Sequence, residues 1–171
     1  NPRGQALILS LNGGQDSTQL GDWLAATFPN LYGSEAGDHN LAGRTNAEVA
    51  GFYRDLFRAW GPKLDAQVLA TALAVYVTNS TLAGDAAAAY GFEVSDYGVG
   101  VSTMNLGWFG VALGLAPGAC STVIDILLLT DDRSVGGTIF GDDWLARYHG
   151  HWVFQQINNP GWWSVQPAGQ W

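Results

Sequence analysis

The sequence has a single lysine, Lys63, and a single cysteine, Cys120, and charged residues make up only 13% of it. That share is about half of what a soluble domain usually carries. Fifteen acidic residues against seven basic ones leave a net charge of −8. A chain so acidic, with no basic stripe, repels phosphate backbones, so nucleic-acid binding is excluded. Anionic membrane surfaces are disfavoured for the same reason. Apolar stretches such as Ile124 to Leu129 fall far short of the roughly 20 residues that span a bilayer, so no membrane insertion is expected. One cysteine cannot close an internal disulfide or complete a CxxC pair, and Cys120 is expected to be a small buried or half-buried residue. No GxSxG, Walker A or Rossmann glycine pattern occurs. The chain therefore offers no catalytic signature and no cofactor motif, and a non-enzymatic role is expected.

What is present is apolar. Hydrophobic residues make up 47% of the 171, with eight Trp, six Tyr and seven Phe, alongside 23 glycines. A chain of this length buries roughly 70% of its unfolded surface and folds without a disulfide or metal. One domain is expected over residues 1–161, followed by an aromatic tail over 162–171.

The hydrophobic period predicts a mainly α single-domain bundle of five to six helices with one small β-hairpin. Ala6 to Leu11 reads as a short helix stopped at Asn12-Gly13-Gly14. Asp16 with Gln19 suggests a capping box, followed by Leu20, Trp23, Leu24 and Phe28 on one face until Pro29. Thr45-Asn46-Ala47-Glu48 is the strongest capping box, opening a helix whose buried side is expected to carry Val49, Phe52, Tyr53, Leu56, Phe57 and Trp60. Gly61-Pro62 breaks that helix. Leu64 to Thr78 is apolar almost all round and should be the central helix. Alternation through Phe92, Val94, Val99 and Val101 places the hairpin near 92–101. Met104 to Gly118 reads as an irregular packed segment, Thr122 and Asp125 frame a further helix, and 130–141 reads as a loop. Asp142 or Asp143 caps a last helix through Trp144, Leu145, Tyr148, Trp152, Val153 and Ile157.

Few residues point to chemistry. His149 and His151, near Asp142 and Asp143, have ligand types that suit divalent metals. Two positions apart on a helix they diverge by about 200°, so one ion could bridge them only across a break. Asp131-Asp132 and Asp142-Asp143 offer oxygens of the kind calcium takes, but no loop has EF-hand spacing. Glu35, Asp38 and His39 share a loop and invite an acid–base reading, which needs burial and a fixed carboxylate separation. Asn79-Ser80-Thr81 fits a glycosylation acceptor. Trp23, Trp60 and Trp152 fall on apolar helix faces and are expected in the core. Trp162, Trp163 and Trp171 do not: they are expected to anchor a protein interface, with packing of the tail back on its own domain and stacking on sugars as the alternatives.

Several stretches carry a resemblance: NPRGQALILSLN at 1–12, LGDWLAATFPNLYG at 20–33, NLAGRTNA at 40–47, KLDAQVLATALAVY at 63–76, AYGFEV at 89–94 and VFQQINNPG at 153–161. They resemble an uncharacterised family of C-terminal or internal helical domains of large secreted bacterial surface proteins, which often also carry SdrD B-like and immunoglobulin-like repeats. Residues 108–151 match only loosely, and the aromatic tail departs from the family pattern. The family's Gly-Phe-Trp element before the Asn-x-x-Gly-Gln-Ala-Leu segment is missing, which suggests a start inside a longer protein. The resemblance implies an extracellular, cell-surface setting and brings no catalytic residues.

Three functions are expected, in order. The first is a structural module that assembles with copies of itself or with other surface-protein domains through Trp162, Trp163 and Trp171. The second is a carbohydrate-binding or adhesive module with polysaccharide on its aromatics. The third is a cell-wall polymer hydrolase using Glu35 or Asp38 as the acid.

Overall fold

The computed structural model describes residues 2–158. Its longer helices are α1 (Pro2–Ser10), α2 (Gln19–Thr27), α4 (Asn46–Arg58), α5 (Leu64–Thr78), α7 (Val123–Asp132) and α8 (Trp144–Ile157). Two single turns, α3 (Pro29–Tyr32) and α6 (Ser80–Ala83), and several 3₁₀ turns join them. The fold is mainly helical with one small antiparallel pair of strands, as the hydrophobic period predicts.

Local signals set most helix starts. Thr45 accepts from the Glu48 amide while the Glu48 carboxylate accepts from the Thr45 amide, the reciprocal box that satisfies two donors at the start of α4. The next two amides, of Asn46 and Ala47, donate to the carbonyls of Ser17 and Gln15. The buried Asn46 side chain then donates to the Leu11 and Gly14 carbonyls at 2.7 and 2.9 Å. The 11–17 connection is thus fastened to the start of α4. Thr122 caps α7 by accepting from the Asp125 amide, and Asp143 caps α8 by accepting from the Ala146 amide. Asp16 does not cap α2: Thr18 precedes the helix, and its hydroxyl bonds the Asp22 carboxylate instead. Pro29 ends α2 and also begins α3, where its missing amide hydrogen costs nothing.

α5 lies at the centre. Leu64, Val68, Leu69, Ala72, Tyr76 and Val77 are buried, and α4, α6, α7 and α8 all pack on it. Each fully buried Leu or Val contributes about 1.5–3 kcal/mol. Its buried threonines bond backward along the helix, Thr71 to the Gln67 carbonyl and Thr78 to the Ala74 carbonyl. Asn158 fastens the end of α8 to α5, donating to the Gln67 carbonyl and accepting from Thr71.

The strand pair is β1 (Thr103–Asn105) against β2 (Cys120–Thr122), in the register Thr103↔Thr122, Met104↔Ser121, Asn105↔Cys120. It lies beyond the expected 92–101. That stretch instead holds a 3₁₀ turn at Gly98–Val101, whose buried Gly98 and Gly100 let the backbone approach α5 while Val101 is exposed, so the valine alternation does not mark an extended strand. Gly98 has φ +59°, and a Cβ there would meet the Thr78 hydroxyl at 2.7 Å. The glycine-rich segment inside the strand pair forms a 3₁₀ stretch at Gly107–Leu113, which packs on α8. The expected loop at 130–141 starts later, because α7 continues to Asp132.

Candidate interaction surface

α8 has two apolar faces, and among the described residues only one is covered. Gly150, Val153, Phe154 and Ile157 are buried. At 100° per residue, Trp144, Leu145, Tyr148 and Trp152 share an arc of about 100° on the other side. All four are exposed, Trp144 by 74% and Tyr148 by 53%. The Gly107–Leu113 turn extends this face. Phe109 stacks on Trp152 with centroids 6.2 Å apart and rings 20° from parallel, and its neighbour Trp108 is 66% exposed. Tyr148 meets Trp152 edge-on at 6.3 Å, and His149 lies 5.7 Å from Phe109. Phe109, Tyr148, His149 and Trp152 thus hold one another through ring contacts, and Trp108 and Trp144 are exposed on the same two elements.

Gly150 seats the helix. A Cβ on it would fall 2.4 Å from Cε2 of buried Phe140, so only glycine lets α8 settle on that ring. Arg147, on the covered side, donates to the Ile139 carbonyl and pairs with Asp65 at 3.3 Å. Arg147 is thus turned away from the exposed face, Arg133 lies against Gly114 at the end of the Gly107–Leu113 turn, and Asp142 and Asp143 stand exposed at the head of the α8 face.

A second aromatic feature ends α4. Tyr53 and Phe57 meet edge-on at 5.0 Å, Phe57 is 48% exposed, and Trp60 has no cover at all. Sequence periodicity puts Phe57 and Trp60 on a buried side. Instead α4 stops at Arg58, and the chain leaves the core before Trp60 can turn inward. Trp152 is likewise not a core residue, whereas Trp23 does pack inward, against Phe28 and Tyr76 at 5.6 and 5.1 Å.

The remaining candidates are dispersed. His149 and His151 leave α8 on different sides; His151 lies against Trp152, and its buried Nδ1 has no hydrogen-bond partner among the described residues. Asp143 is occupied as the α8 cap. Asp131 is buried and accepts from the Leu31 amide at 2.9 Å and from Asn30, while Asp132 is exposed, so the two carboxylates do not face one site. Burial raises the Asp131 pKa, the bonds from Leu31 and Asn30 pull it down, and Asp132 adds a smaller upward push. Burial together with the Asp65 and Asp131 carboxylates pushes the nearby Tyr32 phenol far up. Among the described residues no three His, Cys, Asp or Glu gather in a way that could hold a metal ion.

Glu35 and Asp38 are both exposed, and His39 rests on Phe52 at 5.1 Å. Asp38 lines a shallow cleft with Arg44, Glu48 and Asp55, and Glu35 is not part of its wall. Glu48 there is held below the usual carboxylate range by its bonds to the Thr45 amide and to Arg44, which suits a cap rather than a proton donor. Asn79 caps α6 by accepting from the Thr81 and Leu82 amides. Cys120 is exposed on β2, not buried, because its three-residue strand has only one neighbour. Trp162, Trp163 and Trp171 lie outside the described residues. No described helix is long and apolar enough to cross a membrane.

The uncovered face was open to sequence reasoning. Trp144, Tyr148 and Trp152 are spaced four apart and oppose Val153 and Ile157, so one α8 stripe had to lack the core as its partner. No family model, no curated protein and no solved structure matches this chain.

Proposed function

We propose that this chain is a non-enzymatic structural module of a bacterial surface or matrix protein, which assembles with copies of itself through aromatic contacts. The exposed face formed by Trp108, Trp144, Tyr148 and Trp152 carries this reading. Large contiguous apolar patches are rare on monomers, and aromatic anchors dominate the energy of protein contacts. Trp162, Trp163 and Trp171 are assigned to the same association. The resemblance to secreted surface-protein domains supports the extracellular setting.

Sedimentation velocity over a range of concentrations tests the assignment. Wild type should associate as concentration rises, and Trp144→Ala/Tyr148→Ala should weaken association while circular dichroism stays unchanged. A wild-type chain that stays monomeric throughout would refute it. A second reading, binding of neutral polysaccharide, draws on the open ring faces of Trp108 and Trp144. Titrating tryptophan fluorescence with neutral polysaccharides separates the two, because only sugar stacking gives a saturable change in the monomer.

A further inference from the structure

Three of the seven basic residues, Arg54, Arg58 and Lys63, fall within ten positions at the end of α4 and the turn after it. Arg54, Phe57 and Arg58 stand at i, i+3 and i+4, neighbours on one helix surface. All three are exposed, and exposed Trp60 stands two residues after Arg58. Asp55 lies among them, 3.6 Å from Arg54, and is outnumbered. Lys63 donates to the Ala59 carbonyl, which keeps its charge at the helix end. Elsewhere Arg44 is bound to Glu48 and Arg147 to Asp65, while Arg133 is an exposed cation against Gly114, away from the Asp142–Asp143 head of α8 in sequence.

The α8 face has the opposite character. Its rings are headed by Asp142 and Asp143, and Arg147 is drawn inward. Two copies meeting α8 to α8 would bring like charges together, which costs affinity. A ridge of two aromatics flanked by cations fits the acidic aromatic face better, and Arg packs well on Trp and Tyr rings.

We infer, resting on the assembly reading above, that the contact is head-to-tail: the Arg54–Phe57–Arg58–Trp60 ridge of one copy docks on the Trp144–Tyr148–Trp152 face of the next. Two different patches on one chain form a heterologous contact, which does not close at two subunits. It propagates into rings or filaments.

Complementary variants test this. Phe57→Ala/Trp60→Ala removes the ridge, and Trp144→Ala/Tyr148→Ala removes the face. Each alone should be monomeric where wild type has grown past a dimer, and their equimolar mixture should form a 1:1 complex that grows no further. Arg54→Glu/Arg58→Glu, which keeps every aromatic ring, should weaken wild-type assembly at least about tenfold, with the loss shrinking in high salt. Circular dichroism and melting curves confirm that each variant is folded. If wild type assembles and the ridge variants assemble equally well, the ridge is overturned and the assembly reading stands. A mixture that stays monomeric overturns the head-to-tail pairing. A monomeric wild type overturns both.

Discussion

Replacing Asn46 is expected to loosen the fold more than any single change at its surface. The side chain is fully buried and donates two hydrogen bonds, to the Leu11 and Gly14 carbonyls. Its orientation follows from its partners: turned over, the amide oxygen would face two carbonyl oxygens. Asn46→Ala removes both bonds, each worth about 1 kcal/mol net, and leaves a small void. The two carbonyls still accept from the Gly14 and Ser17 amides, so they are not fully orphaned, and the substitution also removes the buried Asn46 Oδ1, which has no hydrogen-bond partner among the described residues; the net loss should be about 1–2 kcal/mol. For a domain of this size that lowers Tm by about 2–8 °C.

Asn46→Asp is the sharper variant. Its carboxylate would face the same two carbonyl oxygens without water, so it should be less stable than Asn46→Ala at about pH 7. Because burial raises its folded pKa, the missing stability returns as pH falls and the acid protonates; at about pH 4.5 the gap to Asn46→Ala should narrow. Urea unfolding followed by tryptophan fluorescence reads both effects as midpoints at constant slope. Asn46→Ala within about 0.5 kcal/mol of wild type, the range of ordinary surface changes, would refute the reasoning. So would Asn46→Asp matching or exceeding Asn46→Ala at neutral pH.

Three further outcomes are expected. Thr45→Ala should cost about 1 kcal/mol by opening the α4 capping box; since Glu48 is depressed in the folded chain, its contribution is present above the unfolded carboxylate pKa and fades as pH falls through the folded one, a fade that Glu48→Gln should remove from the pH–stability curve. Asp131 has the opposite sign: its folded pKa is raised, so its titration favours folding below the unfolded pKa and that gain is lost as pH rises through the folded one, a slope that should vanish in Asp131→Asn when stability is measured against pH. Gly150→Ala places a Cβ against the Phe140 ring; overpacking of about 1–3 kcal/mol should outweigh the roughly 1 kcal/mol gained in helix propensity, and Phe140→Leu in the same chain should restore part of the melting temperature.

Starts and stops of helices were legible because their causes are local. Thr45 with Glu48, Thr122 with Asp125, and Asp143 each act within four residues, and α5 declares its burial by composition alone. Asp16 misled because Thr18 stands closer to the helix and holds Asp22. The choice between the two faces of α8 is made by what packs there, and both faces are apolar. Period puts Trp152 and Val153 on different stripes but does not say which of the two meets the core. Nor could it place the strands, since Thr103 and Thr122 pair across a glycine-rich segment with no strand period of its own. Of the candidate surface, the aromatic content was visible. Its position depends on Gly150 admitting Phe140, a contact between two loosely patterned stretches.

The Asp131 carboxylate meets the Leu31 amide across 100 residues of chain. While the protein is being synthesised, α3 emerges long before its acceptor exists, and no shorter piece can supply one. Such a contact is made after the entropy of a long loop has been spent, so it belongs to the last stage of folding. Weakening it with Asp131→Ala is expected to speed unfolding while leaving refolding nearly unchanged in stopped-flow traces. The first third of the chain and α7 would then behave as one cooperative unit, in which a cut between them releases both.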